Sequence, residues 1–433
     1  MLQRLARRAR VSAVATVLAT TALLAGCAQS SSGGTGPTRQ HAGESSYQPT
    51  RSDFHDLRAM LARRAWAVLH HREHAFLATV DDHDPSLVAG QRTMYENLVQ
   101  LPLVSLAYTM DVGSLLVPAD LGDSAAALRP VVVEQLQIRG TMTAPVSNAV
   151  DQTFVRRGGH WLLGAETDPS QGESGQTAGE RPWYGHPIVA RSDGPLTVLV
   201  DKFRSATLDD LTREIADDID VDASLLDVPT QHAILVDATS NGASTSFSTL
   251  SKEQAGAVTF GLSHTNASGD RYLRSAGLAI KVNPRDVGRL ASSTPLLRHE
   301  LTHFLLHRYL SSSPRWLSEG IANWVEYYPD DYPALQLRGD LYGRVMHSDR
   351  ELPTLGVFNY DPDVHYQVAQ AAVAWLIYRY GMRKLLDLMR AYRLGYQDVN
   401  VDAITPQMLR RVYGLTEKQV VDGAFGLIAT FQH

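Results

Sequence analysis

The chain has 433 residues, a formal net charge of −6, 44% hydrophobic residues and one cysteine, Cys27. An acidic balance argues against a nucleic-acid partner, which needs clustered positive charge, and a lone cysteine rules out an intramolecular disulfide. The length exceeds what one compact core usually accommodates, so two domains are expected.

Taken in chain order, residues 1 to 27 carry Arg4, Arg7, Arg8 and Arg10 and then the apolar run Val11 to Ala25. This is the layout of a signal peptide and is too short for a spanning helix. Its ending, Leu24-Ala25-Gly26-Cys27, resembles a bacterial lipobox. The resemblance implies that Cys27 receives a diacylglycerol and becomes the mature N-terminus, holding the protein on the extracytoplasmic face of the cell membrane. Secretion without lipid is the alternative. Losing four arginines and no acids takes the charge from −6 to −10, which argues against a polybasic hold on anionic lipid. Residues 28 to 50, rich in Ser, Gly, Thr and Pro, read as a flexible tether.

Residues 51 to 167 form the first expected domain. Helical periodicity runs from Phe54 to Val80 through Leu57, Met60, Leu61, Trp66, Leu69 and Phe76, and a second helix is expected around Leu87 to Val99. Strand-like runs follow at Val104 to Met110, Val131 to Ile138, Ala149 to Arg156 and His160 to Gly164, the last two joined at Gly158-Gly159. Helices followed by antiparallel strands indicate a cone-like α+β domain, and the layout resembles the nuclear-transport-factor-2-like fold. Its ligand is not legible, and His70, His71 and His74 read as a solvated helix face. Residues 168 to 182, dominated by Pro, Ser, Gln, Gly and Glu, read as a linker. In residues 183 to 433, strands are expected at Leu196 to Val200, Ala233 to Val236 and Leu278 to Val282, with a helix from Leu208 to Ile219. Beyond position 319 the chain reads as helical, at about 364 to 380, 382 to 393, 406 to 413 and 417 to 431.

The chemistry concentrates in His299-Glu300-Leu301-Thr302-His303. Helical residues four apart are turned by about 400°, so His299 and His303 share a face and can bind one ion. Leu296, Leu297, Leu301, Phe304, Leu305 and Leu306 make this helix apolar, and buried histidines in such a helix need a partner. After the break at Ser311-Ser312-Ser313-Pro314, a second helix carries Trp316-Leu317-Ser318-Glu319-Gly320, and Glu319 is the candidate third ligand. Glu300, turned by ~100° from His299, is placed to take a proton from water at the ion. His307 shares the face of the other two histidines but lies a rise of ~12 Å from His299, too far for a common metal. Asn323 and Glu326 are candidates to orient a ligand histidine.

HELTH and PRWLSEGIANWVEY together resemble the gluzincins, zinc metallopeptidases whose third ligand is a glutamate, most closely their peptidase-MA-like branch. The resemblance implies His299, His303 and Glu319 as ligands of Zn2+, Glu300 as general base, and a zincin-like fold over residues 183 to 433 with a mixed-sheet upper lobe and a helical lower lobe. It also implies an oxyanion-stabilising role for Tyr366, at the start of a helix similar to one in the aminopeptidase-type relatives. The substrate would be a peptide or protein. The G-x-M-E-N segment that anchors a free amino terminus in those relatives is not found before His299, leaving endopeptidase action as the default. A different class remains open: a catalytically silent, zinc-containing binding lipoprotein whose N-terminal domain engages a partner.

Overall fold

The computed structural model describes residues 49–116, 127–167, 181–241, 256–269, 271–287, 295–310, 312–329, 340–358, 360–393 and 400–430. The expected signal peptide with its lipidation candidate Cys27, nearly all of the tether, and positions 168–180 of the expected linker lie outside the described residues. Within them the fold is mixed α+β.

The first part is α1 (Arg51–Leu69), α2 (Glu73–Leu77) and α3 (Pro85–Leu98), then the strands β1 (Leu103–Leu116), β2 (Ala127–Ile138), β3 (Val146–Arg157) and β4 (His160–Thr167). The four strands form one antiparallel meander in chain order. Thr50 and Asp53 make a capping box at the start of α1, and Asp84 caps α3 with Pro85 in the first helical turn, so local chemistry starts both helices. The β3–β4 turn needs two left-handed residues, supplied by Gly158 (φ 55) and Gly159 (φ 85). The single helical stretch expected over Phe54 to Val80 is broken in two, because His71 adopts φ 53 and the chain leaves the helix after Leu69. His70 and His74 therefore do not share one continuous helix. His70 instead stacks on Trp66, with ring centroids 4.5 Å apart.

The second sheet contains β5 (Ile188–Asp193), β6 (Leu196–Asp201), β7 (Ile234–Ala238), β8 (Ala257–Thr265) and β9 (Tyr272–Val282), in the order β5-β6-β7-β9-β8. The inner pairs are parallel and the two outer pairs antiparallel. Helix α4 (Leu208–Leu225) makes the crossover from β6 to β7. All six residues of β6 and all five of β7 are buried, because the sheet is covered on both faces. Val198, Val200, Val236 and Ile280 join the core formed with the helices. Leu199, Leu235 and Ala279 join a cluster with Leu98, Leu136 and Met142 of the first part. Two-sided burial is why these strands read as continuous apolar runs.

That shared cluster crosses the expected domain boundary, and so does a buried ionic group. Arg181, inside the expected linker, donates to Glu134 Oε1 and Oε2 at 3.1 and 2.9 Å and to Glu166 Oε1 at 2.6 Å. Trp183 Nε1 donates to the same Glu134 at 2.9 Å. Positions 181 and 183 are thus anchored in the first sheet, while positions 168 to 180 of the expected linker lie outside the described residues. Burial would raise the Glu166 carboxyl, but the charges of Arg181 and Arg64 and hydrogen bonds from Arg181 and Gln91 hold it below its ordinary value.

The remaining helices are α5 (Pro295–Leu310), α6 (Arg315–Tyr327), α7 (Asp340–His347), α8 (Pro362–Tyr380), α9 (Met382–Arg393), α10 (Val401–Tyr413) and α11 (Glu417–Ala429). Asn400 caps α10, starting it well before Pro406, where the sequence pattern placed its beginning. Helices α6 and α8 approach closely at Gly320: a Cβ there would lie 2.5 Å from the Ala369 carbonyl oxygen.

Arg181→Met keeps volume and removes charge, leaving Glu134 and Glu166 buried without the guanidinium that contacts both. A loss of about 3–5 kcal/mol in unfolding free energy is expected, read by urea denaturation. A loss below ~1 kcal/mol would show that Arg181 does not anchor the boundary.

Candidate metal centre

Helix α5 presents His299, Glu300 and His303, and α6 presents Glu319; all four are buried. His299 Nε2 and His303 Nε2 are 3.2 Å apart. Glu319 Oε2 lies 3.5 Å from the first and 3.6 Å from the second. Ligand atoms ~2.0–2.1 Å from one ion at tetrahedral angles are about 3.3–3.4 Å apart, so the three contacts have the dimensions of one face of a tetrahedral site. These residues could hold a metal. The donor set also fits a cation electrostatically, since three lone pairs converging in an apolar core repel unless positive charge lies between them.

The surroundings hold the ligands in place. Glu326, one of the two positions expected to orient a histidine, has Oε2 3.1 Å from His299 Nδ1. With Nδ1–H donated to that carboxylate, Nε2 turns its lone pair toward the centre. Arg315 was not anticipated. It opens α6, approaches Glu319 Oε1 at 3.8 Å and lies over the Phe358 ring at 4.7 Å. Glu319 is therefore split, one oxygen facing the histidines and the other the guanidinium. At the base of the site, Arg298 donates to Asp222 Oδ1 of α4 at 2.9 and 2.7 Å and to the Tyr328 carbonyl, tying α5 to α4 and to the end of α6.

Tyr366 lies in the first turns of α8, buried, its ring edge-on to Phe358 with centroids 4.9 Å apart. Burial, reinforced by the negative charge of Glu319 and opposed by Arg315, pushes its phenol well above the ordinary value. It therefore remains a hydrogen-bond donor at neutral pH. Thr259 of β8, also missed, places its hydroxyl 2.6 Å from Glu300 Oε2. No pattern around Ala257–Thr265, interrupted by Gly261, marked that stretch as a strand; only its pairing with β9 does. His307 is outside the group and contacts the Phe304 carbonyl. A second acidic group, Asp81, Asp82 and His83, is mostly exposed, and Asp81 is occupied by Arg157 at 2.7 Å.

Protonation follows from the same geometry. Burial disfavours an imidazolium at His299, but hydrogen bonding to Glu319 and Glu326 outweighs it, so its affinity for a proton is pushed up to about 10. Burial would raise Glu319, and hydrogen bonds from His299 and His303 hold it far below the usual carboxylate range. Without a metal, a proton supplies positive charge between these groups.

Comparison with protein-family models, curated proteins and solved structures returns no match to this chain. Function must therefore be argued from the arrangement itself: two imidazoles and a carboxylate on one centre, with a second carboxylate at the adjoining position.

A metal must displace the proton from His299. The neutral fraction of that ring grows with pH until about 10, so zinc affinity should rise about tenfold per pH unit between pH 6 and 9 for this one proton. Calorimetric titration in two buffers of different ionisation enthalpy should register release of at least one proton. Affinity independent of pH, with no proton released, would contradict a protonated His299 in the metal-free site.

Proposed function

We propose that this chain is a zinc-dependent peptidase of gluzincin type, held by lipid at Cys27 on the outer face of the cell membrane. The observation that carries the reading is the triangle of His299, His303 and Glu319 with sides of 3.2, 3.5 and 3.6 Å immediately beside Glu300. The mixed sheet with α4 and α5 is read as the upper lobe of a zincin, helices α6 to α11 as its lower lobe, and the first part as a nuclear-transport-factor-2-like domain. The order of the elements supports these readings. Supporting the address are the four early arginines and the Leu24-Ala25-Gly26-Cys27 ending; no helix among the described residues is long and apolar enough to cross a membrane. The likeness to gluzincins makes a peptide or protein the substrate, and the acidic balance argues against a nucleic-acid partner.

In this reading His299, His303 and Glu319 hold the ion. Zinc, when bound, supplies a Lewis acid that makes water acidic near neutral pH. Glu300 accepts a proton from the attacking water as the new C–O bond forms at the peptide carbonyl. It then delivers that proton to the nitrogen as the C–N bond breaks. Tyr366, kept protonated by its surroundings, donates to the developing oxyanion. Arg315 and Glu326 act through the ligands they touch, keeping Glu319 and His299 in orientation.

Purified protein should contain zinc and cleave members of a quenched-fluorescent peptide library, and a chelator should stop it. Glu300→Gln should retain zinc while cleavage falls at least a hundredfold, the lower end of about 10²–10⁴ for general-base loss. His303→Ala should lose the metal itself. Zinc retained with no library member cut would overturn the peptidase reading and favour a silent binding lipoprotein.

A further inference from the structure

Glu300 is held asymmetrically. It is fully buried on α5, and the only side-chain hydrogen bond to its carboxylate among the described contacts comes from Thr259, 8% exposed, on β8. Strand β8 is the outermost strand of the mixed sheet, so the two residues come from elements that meet only in the folded chain. The Thr259 hydroxyl is 2.6 Å from Glu300 Oε2 and 3.1 Å from the Glu300 carbonyl oxygen. A hydroxyl has one proton, and the shorter contact to a carboxylate is the charge-assisted one, so the proton lies toward Oε2. The other oxygen, Oε1, is buried with no hydrogen-bond partner among the described residues.

Packing does not explain the choice of threonine. Thr259 is opposite Ile280 of β9, a member of the apolar cluster shared with α5, and valine would fill the same space. What threonine adds there is a proton donor. The terminal torsion of a glutamate is broad and roughly two-fold, so an untied carboxylate would exchange its two oxygens by rotation.

Resting on the peptidase reading above, we infer that Thr259 is a positioning residue: by engaging Oε2 it leaves Oε1 as the one oxygen of Glu300 that exchanges protons with water and with the leaving amine. A water O–H bond breaks and the proton goes to Oε1; when the C–N bond breaks, that proton moves from Oε1 to nitrogen. Thr259 keeps its own proton throughout, so it orients the base and does not itself react. The strand at the sheet edge thereby sets the geometry of a base on the neighbouring helix.

The test uses the full chain and the best-cleaved member of the peptide library. Thr259→Val should keep its zinc content and KM while kcat falls about tenfold to hundredfold, and Thr259→Ser should restore kcat. A second measurement needs no turnover and no metal. In metal-free protein, Thr259→Val should lower the urea midpoint when Glu300 is present and leave it unchanged in a Glu300→Leu background, because contacting residues are not additive. Native kcat in Thr259→Val, or the same midpoint drop in both backgrounds, overturns the role of Thr259. Should Glu300→Gln remain fully active, it is the peptidase reading that falls, so the two failures are told apart.

Discussion

Two imidazole nitrogens and a carboxylate oxygen meet within 3.6 Å inside an apolar core, and the rest of the structure is arranged around that convergence. Three acceptors so close repel one another in a low-dielectric interior, and the repulsion is relieved only by positive charge at their centre. The protein does not let the groups move apart. Glu326 restrains His299 from behind, Arg315 stands against the outer oxygen of Glu319, and Arg298 fastens α5 to α4 and to the end of α6.

The helices meet this demand through packing. Glu319 lies 3.5 and 3.6 Å from the two histidines, and its helix α6 packs close against α8 where Gly320 faces the Ala369 carbonyl with no side chain between them. On the other side, the base helix α5 rests on the mixed sheet, with Thr259 of the edge strand in contact with Glu300. The residues of the site therefore come from a strand and three helices, and their geometry is a property of how those elements stack. Rigid elements of this kind position a site more precisely than loops do.

The first part of the molecule is joined to this assembly more firmly than its sequence suggests. Glu134 and Glu166 of the first sheet receive Arg181, and Trp183 closes over Glu134. Apolar residues of both sheets complete one cluster. A polar stretch ending in an arginine reads as a linker, since nothing local reveals that its guanidinium will be buried between two distant carboxylates. Likewise, His70 and His74 lie on one helix face only if the helix continues, and the left-handed turn at His71 ends it.

Much of the fold was legible because it is encoded locally: the helical periods after Phe54 and around Leu87, the Gly158-Gly159 turn, the apolar run at Leu196 to Val200, and the helix around His299. The i, i+4 histidines and the apolar helix carrying them mark a candidate metal centre from sequence, because helical periodicity alone puts both rings on one face. The downstream Glu319 was legible as a third ligand for a different reason, the likeness of the surrounding motif to known zinc sites. Only the tertiary structure brings Glu319 to the histidines, selects Glu326 over Asn323 as the partner of His299, and brings in Arg315 and Thr259. Those contacts join residues on separate elements, and no local period or cap records which strand edge or helix end will meet another. Sequence thus determined which groups are suited to a metal, and packing decided which of them share one centre and how each is held.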